Sequence, residues 1–300
     1  MNRTFPSVFG SSQHRARGGV TLLLVAAATA LAVFGVGLFS LSRAEDAPAA
    51  EAILEKAVDG MGGREALAKI QNRKATGTLQ IPAAGITGTL VSYSARPAKN
   101  YVLVESDATG KIESGSTGDV AWESNAMSGP SLKSGEEKIV ALRDADFDGI
   151  ANWKKYYGKV ELAGSDSVDQ RPVWKVLLTP QVGFPETWLI DKETNDLVAT
   201  STKRKSPMGD IAVDTRYSDF REVDGLRIAF KTDQVLMGGM QEMLIVLDKV
   251  EQNVEIPPGT FDLPAEIQAL VEKEAAGGAA AGSKPSEAGS PTEQPEPAGK

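Results

Sequence analysis

Asp144, Asp146 and Asp148 alternate in the run DADFDG, and Gly149 closes it. Alternate carboxylates followed by glycine open a calcium loop of the EF-hand kind, in which the acids wrap one side of a hard cation and the glycine makes the sharp turn. A bidentate Glu at the twelfth position must then complete the sphere. Counted from Asp144, the twelfth residue is Lys155, with Lys154 beside it. An ammonium there repels the ion. The same acids are the candidates for the carboxylate pair of a hydrolase, which needs two carboxyl groups about 5 to 9.5 Å apart in a cleft. No motif with a mechanism accompanies them. The expectation is no metal, no cofactor and no catalytic residue. DADFDG reads as a polar break after a short amphipathic helix (GEEKIVALR), with an Asx-type turn at Asp148-Gly149 and a second helical piece, NWKKYY, beyond.

Other chemistries are limited by composition. The chain has no cysteine, and its one histidine is His14. From residue 45 onward there is neither His nor Cys, which excludes a Ser-His-Asp triad, a Cys-His pair, the usual zinc sites, a disulfide framework and lipobox acylation.

His14 sits in a leader. Residues 1–19 carry Arg3, Arg15 and Arg17 and no acid, and Val20 to Leu41 is 22 residues without a charge. Ser42-Arg43-Ala44 then precedes Glu45-Asp46, a small-x-small site before an acidic segment. Two readings stay open for residues 1–44. A signal peptide would be cut after Ala44. An uncleaved anchor would make membrane contact through residues 20–41, since about 20 apolar residues span a bilayer. Either way the chain is exported, to the periplasm or the periplasmic face of the inner membrane. Without the four arginines of the leader, 28 basic residues face 40 acidic ones, a net charge of −12. Such a surface repels phosphate backbones, so no nucleic acid partner is expected.

The elements behind the leader make one domain, residues 45–273. Residues 274–300 are rich in Ala, Gly, Pro, Ser and Glu and hold no large apolar side chain, so they read as a disordered tail. The domain opens with a helix, in which Ile53, Leu54, Ala57 and Val58 recur at helical spacing and Gly60, Gly62 and Gly63 end the run. After Arg73 the pattern changes to alternating strands, about ten or eleven of them, joined by short turns such as Asp224-Gly225. Short turns imply antiparallel neighbours. The expected fold class is mainly β (α+β): a curled antiparallel sheet forming an incomplete barrel, its concave face covered by a few helices.

Three helical pieces face this sheet. The shortfall leaves either a filled core or an apolar cavity. The candidate lining residues are Trp122, Trp174, Trp188, Phe230, Met243, Ile245 and Leu247 on strands, with Ile139 and Leu142 on the helical interlude between residues 135 and 157.

These segments also carry a resemblance. MGGREALAKIQNRKATGTL, GDVAWES, VELAGSDSVDQRPVWKVLLTP, ETWLIDKETNDLVAT, YSDFREVDGLRIAFK and VEQNVEIPPGTFDLP follow one another in this order. Together they resemble the bacterial outer-membrane lipoprotein-sorting (LolA/LolB-like) superfamily over about residues 50–265. The resemblance implies an incomplete antiparallel barrel lidded by helices, a cavity for acyl chains or other hydrophobic ligands, transport of lipoproteins through the periplasm, and no catalytic residues. The long leader and the added tail depart from a soluble carrier. An anchored chain fits a fixed acceptor, a lipid handler or a sensor better.

The expected function is an envelope binding protein that holds a lipid or acyl chain, a lipoprotein-sorting-like carrier or acceptor. Its partners would be lipid or acylated protein. The alternative is a membrane-anchored sensor or interaction module on the same fold, whose partners are other envelope proteins.

Overall fold

The computed structural model describes residues 48–206 and 209–281. The leader at 1–44 and the part of the tail beyond Ala281 lie outside the described residues. Two helices come first, α1 (Ala50–Gly60) and α2 (Gly63–Ala68). Six strands follow: β1 (Asn72–Ile81), β2 (Ile86–Ala95), β3 (Lys99–Ser106), β4 (Gly110–Ser116), β5 (Ala121–Asn125) and β6 (Gly129–Leu132). Next are α3 (Gly135–Asp144) and α4 (Trp153–Tyr156), then β7 (Tyr157–Val168), β8 (Arg171–Pro180) and β9 (Glu186–Asp191). The last strands are β10 (Leu197–Ser206), β11 (Gly209–Val223), β12 (Leu226–Leu236) and β13 (Gln241–Gln252), and α5 spans Ala265–Ala281, past the tail boundary expected at residue 274.

All the strands join one 13-stranded sheet in the order β6-β5-β4-β3-β2-β1-β13-β12-β11-β10-β9-β8-β7. Every pairing is antiparallel. Two hairpin series, β1 to β6 and β7 to β13, are joined where β1 pairs with β13. The sheet does not close, because β6 and β7 end it on either side. This is the incomplete barrel expected from the sequence, with more strands than expected. β4 (GKIESGS) and β6 (GPSL) were not legible as strands. Neither alternates apolar residues, and Pro130 in β6 is tolerated because that strand is an edge.

The helices manage these edges. α5 packs against β6, with Ile267 wholly buried, and α1 and α4 pack against β7. Covering an edge removes a row of unpaired backbone groups that would otherwise recruit another chain. The main core lies under α1. Its buried face is Ala50, Ile53, Leu54, Ala57 and Val58, the stripe expected of an amphipathic helix. That stripe packs on Val176 and Leu178 of β8, Trp188 and Ile190 of β9, and Leu226. Burying one such aliphatic side chain contributes about 1.5–3 kcal/mol.

The glycines after α1 have a positional reason. Gly62 has φ +116°, and a Cβ there would stand 2.3 Å from the carbonyl oxygen of Gly225. The chain can therefore turn from α1 into α2 while touching the β11–β12 hairpin. Asp224 and Gly225 both take positive φ, the conformation a two-residue type I′ hairpin needs. Among the described residues no helix is long and apolar enough to cross a membrane.

Candidate functional site: a lidded cavity

Between the concave face of β10–β12 and the helical layer lies a cavity of about 810 Å³. Its sheet wall follows from strand alternation. Thr200, Thr202 and Arg204 on β10 stand opposite Thr215, Val213 and Ile211 on β11. Gln234 and Leu236 on β12 stand opposite Thr215 and Val213 in turn. Residues two apart on a strand share a face, so these side chains form one surface. Ala57 of α1, Met61 just after it, Leu67 of α2 and the segment Asp146 to Ile150 form the lid.

DADFDG is part of that lid. α3 ends at Asp144, so the run is the helix end the sequence suggested. The Asx-type turn sits two residues earlier than expected: Asp148 N–H donates to Asp146 Oδ1 at 2.9 Å. The three acids diverge to different cations. Asp144 accepts from Arg204 at 2.9 Å. Asp146 meets Lys155 at 3.2 Å and also accepts from the Tyr156 hydroxyl. Asp148 takes a two-pronged bond from Arg96, one arm at 2.8 Å. Lys155, standing where a calcium loop needs its last Glu, thus neutralises one of the acids. No group of three or more His, Cys, Asp or Glu is placed to hold a metal ion among the described residues.

A buried polar centre lies where α3 meets the sheet. Arg143 and Glu186 side chains are each only 8% exposed, and Arg143 Nη2 donates to Glu186 at 2.5 Å. Glu186 also accepts from Tyr157 Oη at 2.8 Å and from Trp188 Nε1 at 3.1 Å. Burial first, and then the charge of Glu186, push the Tyr157 hydroxyl far above its usual pKa, so it acts as a donor. A buried carboxylate is tolerated when its lone pairs are filled in this way. The sequence held a signal for it: Glu186 is in phase with Trp188 and Ile190 on the inward face of β9.

The charges that line the cavity nearly cancel. Its five carboxylates are Asp144, Asp146, Asp148, Glu186 and Asp196. Each has a cation: Arg204, Lys155, Arg96, Arg143 and Arg227 respectively. Arg73 also lines the cavity, stacked on Phe147 with its guanidinium 5.5 Å from the ring centre.

Of the nine residues expected to line a cavity, Trp188 does so. The others lie elsewhere. Trp122 is buried on β5 against Gly115, where there is no Cβ to displace its ring, and 6.4 Å from the Tyr101 ring. Trp174 packs at the margin of the main core under Lys192, whose Nζ is 3.8 Å from the ring centre. Phe230 belongs to a small cluster with Ala75 and Val250, with Leu247 packed against it. Met243 and Ile245 stand opposite Gln234 and Thr232, so they share the concave face beyond the cavity wall. On α3, Ile139 is 51% exposed, and Leu142 is partly buried outside the lining.

No protein-family model matches the chain, and no curated protein is similar to it. Solved structures do share its architecture. A DUF1329 family protein from Desulfovibrio piger superposes with a TM-score of 0.51 at 13% identity, over 71% of this chain and 97% of that one. A LolA superfamily protein from Nitrosomonas europaea superposes with a TM-score of 0.48 at 14% identity, over 72% of this chain and 99% of that one. Likeness at this identity is one of fold alone: the chain shares the fold of the DUF1329 structure.

Proposed function

We propose that the chain is a cell-envelope binding protein that holds a lipid or acyl chain between its sheet and its lid, as a lipoprotein-sorting-like carrier or acceptor. The cavity carries this reading. Its volume of about 810 Å³ falls in the range of ligand sites, roughly 300–1,000 Å³. Ile211, Val213 and Leu236 on the wall and Met61, Phe147 and Ile150 on the lid give it apolar surface on both sides. An acyl chain between these two layers would leave water from both ends of its contacts, which is the main source of affinity for such a ligand. The leader supports a place in the periplasm or on the periplasmic face of the inner membrane. No chemistry is assigned to the site. Residues 45 onward hold no His or Cys, and each carboxylate on the cavity wall is already paired with a cation.

The test is native mass spectrometry of the full-length chain, expressed with its leader, followed by solvent extraction. A lipid or acyl-peptide mass bound to the polypeptide is the expected result. A bare mass that stays bare after incubation with lipids and acylated peptides would overturn the reading.

A further inference from the structure

Four arginines line the cavity: Arg73, Arg143, Arg204 and Arg227. Arg143 is held by Glu186, Arg204 by Asp144 and Arg227 by Asp196. Arg73 is the exception, with no ion-pair partner among the described residues. It lies on β1, where it shares a face with Ala75, a buried core residue. Its Nε is fully buried and has no hydrogen-bond partner. Its guanidinium rests on Phe147 of the lid, and Arg96 stands over the same ring at 5.1 Å. Arg96 has its own acid, Asp148. Burial pulls the Arg73 pKa below the usual arginine value, with no acid to offset it.

Counted with Arg96 and Lys155, which hold Asp148 and Asp146 from outside the lining, six cations meet five carboxylates, and Arg73 is the one left over, beside apolar surface and in a partly dehydrated place. A fixed, planar donor in such surroundings suits an oxyanion, which brings both the missing charge and the missing acceptors. We propose that Arg73 binds the oxyanion head, a carboxylate or phosphate, of an amphiphile whose acyl chain occupies the cavity. This rests on the cavity reading above and narrows it to acidic ligands.

The experiment is isothermal titration of the full-length chain with laurate, dodecyl phosphate, dodecanol and inorganic phosphate. In the native chain both acidic amphiphiles should bind roughly tenfold more tightly than dodecanol, as a charged hydrogen bond in a protected site implies. Inorganic phosphate alone should bind far more weakly than dodecyl phosphate. Arg73→Gln should bring laurate down to the affinity of dodecanol and leave dodecanol unchanged. Arg73→Lys should keep part of the preference. Equal binding of laurate and dodecanol to the native chain would overturn the proposal while leaving the cavity reading intact. Phosphate binding as tightly as dodecyl phosphate would mark a free-anion site and overturn it too. If no amphiphile binds, both the proposal and the cavity reading fall. The comparison of ligands on the native chain decides the matter even if the Gln variant does not fold.

Discussion

Arg96 and Asp148 form a two-pronged ion pair, and the same guanidinium donates to the carbonyls of Ile70 at 2.7 Å and Leu67 at 2.8 Å. One side chain at the end of β2 thereby ties the exit of α2 to the acidic segment of the lid. Both partners are about three-quarters buried, with 24% and 25% of the side chain exposed. Removing Arg96 leaves a carboxylate and two carbonyls without their donor. Arg96→Met should cost about 2–3 kcal/mol, the range for charged hydrogen bonds that are not replaced by water. Asp148→Asn, which keeps an acceptor, should cost about 1 kcal/mol. Urea denaturation gives both numbers. Amide exchange in residues 145–152 should also quicken in both variants, and unchanged exchange would show that the lid is held by other contacts.

The buried pair Arg143–Glu186 makes a different prediction. Breaking such a pair costs more than the pair contributes, because one charge is left without a counterion. Arg143→Met should therefore destabilise by about 3 kcal/mol. The double variant Arg143→Met/Glu186→Gln should recover at least about 1 kcal/mol of that loss. The Gln carbonyl can still accept from Tyr157 and Trp188. Additive losses in the cycle would mean that the two side chains are not coupled.

These two pairs also show what the sequence could and could not disclose. The α1 stripe and the succession of strands after Arg73 were legible, because apolar residues recurred at the period of each element. β4 and β6 were not, since their place in the sheet comes from pairing with a neighbour and not from their own pattern. Apart from Trp188, the cavity wall was missed for a related reason. Large aromatic residues drew attention, yet Trp122 fills the space over Gly115 and Phe230 closes a small core cluster. The wall itself is built of Thr200, Thr215 and Gln234, with medium aliphatic residues between them. Parity held a clue to the charged members. Arg73 is in phase with Ala75 and Glu186 with Trp188, so each was a charge on an inward face. Their partners, from segments far away in the chain, were not readable from one sequence.

Acidification should loosen the lid through Asp146. Burial raises the pKa of this carboxyl. The hydrogen bond from Tyr156, then the backbone N–H of Asp148 and then Lys155 outweigh it, so the folded value lies below the usual one. A carboxyl depressed in the folded state stabilises that state above its unfolded pKa of about 3.9, and the contribution is lost as pH falls through the folded value. Stability measured from pH 7 downward should hold until about pH 4 and then decline. Asp146→Asn should start lower at pH 7 and show a shallower decline. A parallel curve for the variant would remove Asp146 from the account.

Filling the cavity separates a ligand site from ordinary core. Ile211 lies on the wall of the cavity and is only partly buried, so space stands in front of its side chain. A larger side chain at a filled site forces strain of about 1–3 kcal/mol, whereas one that grows into an open cavity meets no such resistance. Ile211→Trp should therefore unfold within about 1 kcal/mol of the native chain and yet lose most of its bound lipid. Ile139→Trp is the control, since Ile139 is 51% exposed on α3 and does not line the cavity. It should change neither property. Stability comes from urea denaturation and bound lipid from native mass spectrometry of the same preparations. A large loss of stability in Ile211→Trp would mean that the space is packed in solution. Full retention of lipid would mean that the ligand lies against another part of the sheet, and Met243 and Ile245, on the same concave face, would be the next positions to fill.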